Sequence, residues 1–130
     1  MSNDKILFEE LNLPTPILSA ITELGFVEPT PIQQQSIPAL LAGKDVLGEA
    51  QTGTGKTAAF GLPLLARLDA NLNAPQMLVV CPTRELAIQV AEAITDFAKN
   101  IRGLNIATVY GGQSYTIQNR DLKRGPVSYT

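Results

Sequence analysis

The sequence predicts an α/β fold with a parallel sheet and flanking helices, and three observations carry that expectation. Apolar runs of strand type occur at Asp45-Val46-Leu47-Gly48, from Gln76 to Cys81 and from Leu104 to Tyr110. A helical pattern follows each run, which is the alternation expected of a parallel sheet. The first run leads into Ala50-Gln51-Thr52-Gly53-Thr54-Gly55-Lys56-Thr57, a glycine-rich turn that opens a helix.

The elements follow in order. Leu13-Pro14-Thr15-Pro16 opens a short helix whose Ile17, Leu18, Ile21 and Leu24 share one apolar face, and Gly25 ends it. Pro29-Thr30-Pro31 starts a second helix through Ile32, Ile37, Leu40 and Leu41, closed at Gly43. The helix after the glycine-rich turn runs from Lys56 to about Asp69. Asn71 to Pro75 makes a polar turn before the second strand. Pro82-Thr83 then leads into an amphipathic helix from Arg84 to about Asn100, with Leu86, Val90, Ala93, Ile94 and Phe97 on one face. Gly111-Gly112 turns the chain after the third strand, and Ser114 to Lys123 forms a last helix. Ligands on such sheets bind at the carboxyl ends of the strands. The loops holding Thr52–Thr57, Pro82–Glu85 and Gly111–Gln113 are therefore expected along one rim.

Composition narrows the class. The chain has 130 residues, 45% hydrophobic and 17% charged, which suits one globular domain or part of one. No apolar run is long enough to span a bilayer, so no membrane partner is expected. The start Met1-Ser2-Asn3-Asp4-Lys5 lacks the pattern of a secretory signal, and a cytoplasmic location is expected. The single cysteine, Cys81, rules out an internal disulfide framework, and the absence of histidine disfavours a zinc site. Cys81 reads as a buried strand residue, since no histidine exists to activate it. Net charge is −2, unlike a strongly basic nucleic-acid binder. Charge is uneven: residues 1–65 hold three Lys/Arg against seven Asp/Glu, residues 66–130 seven against five.

Residues 50–57 have the make-up of a phosphate-binding loop. The helix N-terminus turns free N–H groups and the positive dipole end toward an anion. Gly53 and Gly55 allow backbone angles and close approach that a Cβ would block. Lys56 supplies a point charge for the β- and γ-phosphates, and the Thr57 hydroxyl is a ligand for Mg²⁺.

Three further stretches are informative in this order. In Gly25-Phe26-Val27-Glu28-Pro29-Thr30-Pro31-Ile32-Gln33, the Gln33 amide carries a donor and an acceptor, matching N7 and the N6 amine of adenine while disfavouring guanine. Phe8 or Phe26 offers a ring on which a base can stack. The plain structural alternatives are a helix-ending Gly25, a core Phe26 and a surface Gln33. In Pro82-Thr83-Arg84-Glu85-Leu86-Ala87, Thr83 is an N-cap candidate, and the helix start with Arg84 suits a nucleic-acid phosphate; the alternative is capping plus an ion pair. In Tyr110-Gly111-Gly112-Gln113 a sugar–phosphate backbone can come close, and the alternative is an ordinary turn.

Together these stretches resemble the DEAD-box ATP-dependent RNA helicases, and within that family its bacterial cold-shock branch. Gly25–Gln33 looks like the adenine-recognising Q motif, with Phe8 at the place of its isolated upstream aromatic. Ala50–Thr57 looks like motif I, Pro82–Ala87 like motif Ia, and Gly111–Gly112 like the GG element. The resemblance covers the chain to about Pro126. It implies a partial RecA-like P-loop NTPase domain, the incomplete first helicase domain, with 1–43 a helical segment carrying the Q motif and 44–130 the start of the RecA-like domain. ATP and Mg²⁺ are the implied cofactors. Phe8, Phe26, Gln33, Ala50, Gln51, Thr52, Gly53, Thr54, Gly55, Lys56 and Thr57 are the implied nucleotide contacts. Lys56 and Thr57 are the implied catalytic residues, with Thr57 on the metal. Pro82, Thr83, Arg84, Gly111 and Gly112 are the implied contacts to RNA, bound through its backbone with weak sequence preference. A stress-response role and ribosomal or RNA-degradation assemblies are further expectations.

Departures from the family pattern limit what these residues accomplish alone. After Gly125-Pro126 the family continues into another strand and a Thr-Pro-Gly-Arg motif, whereas this sequence ends at Val127-Ser128-Tyr129-Thr130. The Asp-Glu-Ala-Asp and Ser-Ala-Thr motifs are absent, as is a second RecA-like domain with its arginine finger. Hydrolysis needs an in-line water, a metal clamp and cationic stabilisation, of which the phosphate loop supplies part. The expectation is therefore a catalytically incomplete portion of an RNA-stimulated ATPase. The alternatives are a truncated non-catalytic nucleotide-binding fragment and another phosphate-loop NTPase. The family's sheet also places later strands between Asp45–Gly48 and the strands preceding Pro82 and Gly111. Without them, marginal stability or aggregation is expected.

Overall fold

The structure, a computed structural model, describes residues 6–49, 55–109 and 127–129. The chain divides into two units, Met1–Arg67 and Leu68–Thr130.

The first unit is helical. A 3-10 turn spans Phe8–Leu11 and ends at Asn12, whose φ of 61° is left-handed. Helix α1 spans Thr15–Glu23, with Pro16 in its first turn where a missing N–H costs nothing. Ile17, Ala20 and Ile21 are buried, whereas Leu24 is exposed. Gly25 takes φ +89° and ends α1: its N–H donates to the Thr22 carbonyl at 3.0 Å, and that of Phe26 to the Ile21 carbonyl at 2.9 Å. Helix α2 spans Pro31–Leu41 behind the N-cap Thr30, and helix α3 spans Lys56–Ala66 behind Gly55. These two helices pack together. Ile37, Ala58, Ala59, Leu62 and Leu65 are buried, with Phe8, Leu11 and Leu13 adding to the core. At about 1.5–3 kcal/mol for each large apolar side chain removed from water, this burial orders helices too short to persist alone.

The second unit is a parallel sheet with its crossover helix. Strands β1 (Pro75–Leu78), β2 (Asn105–Ala107) and β3 (Val127–Tyr129) lie in the order β1–β3–β2, and both pairings are parallel. Met77 is opposite Ser128, which is opposite Ile106. Helix α4, Arg84–Phe97, carries the chain from β1 to β2, as a parallel connection requires. The α/β class and parallel sheet expected from the sequence are thus present.

Several details differ from expectation. Asp45–Gly48 forms no strand, because the described sheet contains only β1, β3 and β2 and a strand exists only through its ladder. Its apolar side chains stay uncovered: Leu47 is 95% exposed and Val46 41%. One later strand is present after all, since β3 inserts between the strands preceding Pro82 and Gly111. β1 and β2 are shorter than their apolar runs because described β3 offers only three residues to pair with. Cys81 consequently lies beyond β1 and is half-buried, with a free thiol. Helix α3 stops at Ala66 rather than near Asp69, whose N–H is taken by the Gln76 side-chain oxygen at 2.9 Å. On α4 the buried stripe is Ala87, Val90, Ala91, Ile94 and Phe97, while Leu86 is exposed and Ala93 half-buried. The expected helix at Ser114–Lys123 lies outside the described residues.

Candidate nucleotide site and its relatives

The site begins with a helix cap. Thr30 has extended backbone angles, φ −68° and ψ 163°, and its Oγ1 accepts the Gln33 backbone N–H at 3.4 Å. The Gln33 Oε1 reaches back and accepts the Thr30 backbone N–H at 2.9 Å. This reciprocal capping box satisfies two of the donors that a helix start leaves open. It also folds the Gln33 side chain inward, where it is 3% exposed. The reading of Gln33 as a surface residue is excluded. Its Nε2 then donates to the Gly55 carbonyl at 3.2 Å.

Gly55 joins this cap to the phosphate-loop helix. It is the N-cap of α3 with φ +83°, and its carbonyl also accepts the Ala59 N–H at 3.1 Å. A Cβ on Gly55 would overlap the Gln33 amide nitrogen and press on Thr30 Oγ1 at 3.4 Å. Glycine is therefore required here both by the left-handed backbone and by its neighbour. Gly55 has no side chain to cap the helix, so the first turn of α3 keeps donors for an anion. Lys56 is exposed at the first helical position, and Thr57 is half-buried beside it. Both suit an incoming phosphate and its Mg²⁺ in residue type and position.

A cleft of about 480 Å³ opens beside Gln33, lined by Phe8, Gly25, Phe26, Val27, Glu28, Thr30, Gln33 and Gly55. That volume lies within the range of small-molecule sites. The Phe8 N–H donates to the Val27 carbonyl at 3.2 Å, tying the 3-10 turn to the cleft wall. Phe8, Phe26, Gln33 and Gly55, expected from the sequence as nucleotide contacts, are thus brought together. Ala50, Gln51, Thr52, Gly53 and Thr54 lie outside the described residues. Thr30 was not among the expected contacts, although the Thr-x-x-Gln spacing of a capping box was there to be read.

In the second unit Thr83 is the N-cap of α4, its Oγ1 accepting the Leu86 N–H at 3.1 Å. Arg84 and Glu85 form an exposed ion pair at 3.8 Å, worth little in water. Pro82, Thr83 and Arg84 are all exposed at this helix start. Gly111 and Gly112 lie outside the described residues, and with them the expected common rim. No helix of the described residues is long and apolar enough to cross a membrane, and none of their side chains cluster as a metal site.

A parallel sheet with a crossover helix, and a glycine-capped helix opening onto a cleft, define a partial RecA-like phosphate-loop NTPase fold. The family model for the DEAD/DEAH box helicases matches residues 30–130, and the chain belongs to that family. It is 58% identical over 126 residues to the ATP-dependent RNA helicase DeaD of Escherichia coli (strain K12), covering 97% of this chain and 20% of that protein. It is 62% identical over 122 residues to the ATP-dependent RNA helicase DeaD of Haemophilus influenzae, covering 94% and 20%. The chain thus spans about a fifth of the length of these curated relatives. Among solved structures, a DEAD box protein from the hyperthermophile Methanococcus jannaschii superposes with a TM-score of 0.87 at 40% identity, covering 97% of this chain and 35% of that one. The RNA helicase Prp28 from Chaetomium thermophilum, bound to ADP, gives 0.82 at 36% identity, covering 99% and 33%.

Proposed function

We propose that this chain is the ATP- and RNA-binding N-terminal portion of an ATP-dependent RNA helicase. The observation that carries the reading is the bond from Gln33 to Gly55, which joins a base-sized cleft to the start of the phosphate-loop helix. In this reading residues 1–43 supply the base-reading segment and residues 44–130 the first part of a RecA-like domain. The adenine enters between Gln33 and the Phe8 and Phe26 rings. The phosphates lie along residues 50–57, with Lys56 on the β- and γ-phosphates and Thr57 on Mg²⁺. The metal, when bound, neutralises charge on the phosphates. The chain's own residues orient the nucleotide and hold it against the α3 dipole.

RNA would meet the start of α4 at Pro82, Thr83 and Arg84, with Gly111 and Gly112 as further contacts by family resemblance. Contacts of that type go to phosphate and sugar, which position a strand without reading its sequence. The ATP-driven remodelling of RNA, in the cytoplasm, under stress and within ribosomal or RNA-degradation assemblies, belongs to a longer protein of the relatives' length.

Two measurements test this. Titration of a protein of the relatives' full length with ATP and GTP should give saturable binding with ATP preferred; no binding of either refutes the nucleotide site. In a protein of the relatives' full length, Lys56→Ala should abolish RNA-stimulated ATP hydrolysis, and undiminished turnover would refute the role of Lys56.

A further inference from the structure

Strand β2 is an edge of the described sheet. It pairs with β3 on one side, and no described strand pairs with its other side. Such an edge holds backbone N–H and C=O groups ready to pair with another chain. Beside it runs a groove of about 260 Å³ between α4 and β2. Ile106 and Thr108, two positions apart, form its strand wall. Ile88, Glu92 and Asp96, each four positions from the next on α4, form its helix wall above Ala91.

The chemistry of the groove selects its occupant. Ile88 is 37% exposed, and with Ala91 and Ile106 it gives the groove an apolar lining. Glu92 and Asp96 are exposed at its rim, and neither meets a basic side chain among the described residues. The Thr95 hydroxyl, also at the groove, is committed to the Ala91 carbonyl at 2.7 Å. From Glu85 to Ala98 the chain carries three carboxylates and no Lys or Arg. Carboxylates at the rim repel the phosphates of a nucleic acid. They also oppose a second copy of this chain, because a symmetric pairing of edges brings the same acidic rim from both sides. A basic peptide in extended form meets both features. A strand places every second side chain over the groove, and Lys or Arg there lays its stem on Ile88 and Ile106 and its charge against Glu92 and Asp96.

We propose that the open edge of β2 and the groove beside it form a docking site for an extended basic peptide, which adds to the sheet as a further strand. Backbone bonds to β2 supply the attachment, and pairing with Glu92 and Asp96 supplies the choice of partner. The same carboxylates guard the edge against self-pairing while leaving it open to a basic strand. The site lies within the second unit and uses neither the cleft at Gln33 nor the phosphate-loop helix, so it stands apart from the nucleotide reading.

The test uses a protein of the relatives' full length and a short synthetic peptide of alternating Lys and Thr with blocked ends, labelled for fluorescence anisotropy. Saturable binding is expected, about fivefold weaker in the double variant Glu92→Gln with Asp96→Asn, the size of two exposed ion pairs. Both side chains are exposed, so the double variant should keep the melting temperature of the unsubstituted protein. A peptide of alternating Lys and Pro carries the same charge but lacks half the backbone N–H donors, and it should bind more weakly than the Lys–Thr peptide. No binding of the Lys–Thr peptide overturns the proposal, as does equal binding by the double variant. Equal binding of the Lys–Pro peptide reduces the contact to charge alone and overturns the added strand. Sedimentation of the protein without peptide checks the rival occupant. A dimer that Ile88→Lys disperses would make that occupant a second copy and overturn the proposal.

Discussion

The Phe8 and Phe26 rings meet with centroids 5.7 Å apart and planes tilted by 39°, and the two residues divide the work of one wall of the cleft. Phe8 is 2% exposed and Phe26 is half-buried, so Phe8 backs the wall and Phe26 presents more of its ring. Phe8→Ala should therefore act mainly on stability, costing about 3–5 kcal/mol as a large-to-small core change. Phe26→Ala should leave more stability and remove about 1–3 kcal/mol of nucleotide affinity through lost stacking. Thermal melts and ATP titrations on both variants check the division; equal stability losses would refute it.

Gly55→Ala should abolish measurable nucleotide binding. The left-handed backbone alone costs an L-residue about 1–2 kcal/mol, and the new methyl displaces the Gln33 amide. The chain should bind neither ATP nor tripolyphosphate and should melt earlier. Wild-type affinity for ATP in this variant would contradict the described contact between Gly55 and Gln33.

Thr83→Ala should destabilise the second unit by about 1 kcal/mol through loss of the α4 cap, and Thr83→Ser should restore it. Arg84→Ala should barely change stability, since its pairing with Glu85 is 3.8 Å long and exposed. If Arg84 contacts an RNA phosphate, the same change should lower the slope of binding against log salt by about one. The readouts are the melting temperature and RNA affinity measured over a salt series.

On α4, Ile94→Ala should cost about 2–5 kcal/mol, because Ile94 is fully buried. Leu86→Ala should change stability by about 0.5 kcal/mol or less, because Leu86 sits off the buried stripe. Chemical denaturation distinguishes them. A large effect at Leu86 would restore the face that hydrophobic spacing alone suggests.

The exposed Val46 and Leu47 lie on a segment with no strand partner among the described residues, and they point to low solubility of the 130-residue chain. Its thermal unfolding should be broad and accompanied by aggregation, and Leu47→Lys should raise the soluble yield. A sharp, cooperative transition in a monomeric sample would overturn this expectation.

The α4 stripe shows where sequence reading reaches its limit. The expected face and the observed face share Val90, Ile94 and Phe97 and differ in Leu86 and Ala93 against Ala87 and Ala91. Alanine carries little hydrophobic signal, so two neighbouring stripes fit the same spacing. Only the surface packed against the helix chooses between them. The candidate site divides in a similar way. Gln33, Gly55, Phe8 and Phe26 were legible because their residue types in a known order match a chemistry. Thr30 was not singled out, although the Thr-x-x-Gln spacing of its capping box with Gln33 is local.

What the sequence by itself determined was whatever depends on chain within one turn. The starts of α1, α2 and α4 at Pro- and Thr-led caps, the stop at Gly25, and the glycine-capped phosphate helix all follow from local backbone and side-chain chemistry. The parallel class follows from the order of strands and helices. Tertiary structure decided the rest: β3 lies between β1 and β2, Asp45–Gly48 pairs with nothing described, and Gln33 meets Gly55 across 22 positions of sequence. The physical reason is that a ladder bond or a buried amide needs a partner brought from far along the chain. No local preference specifies which partner closes that distance.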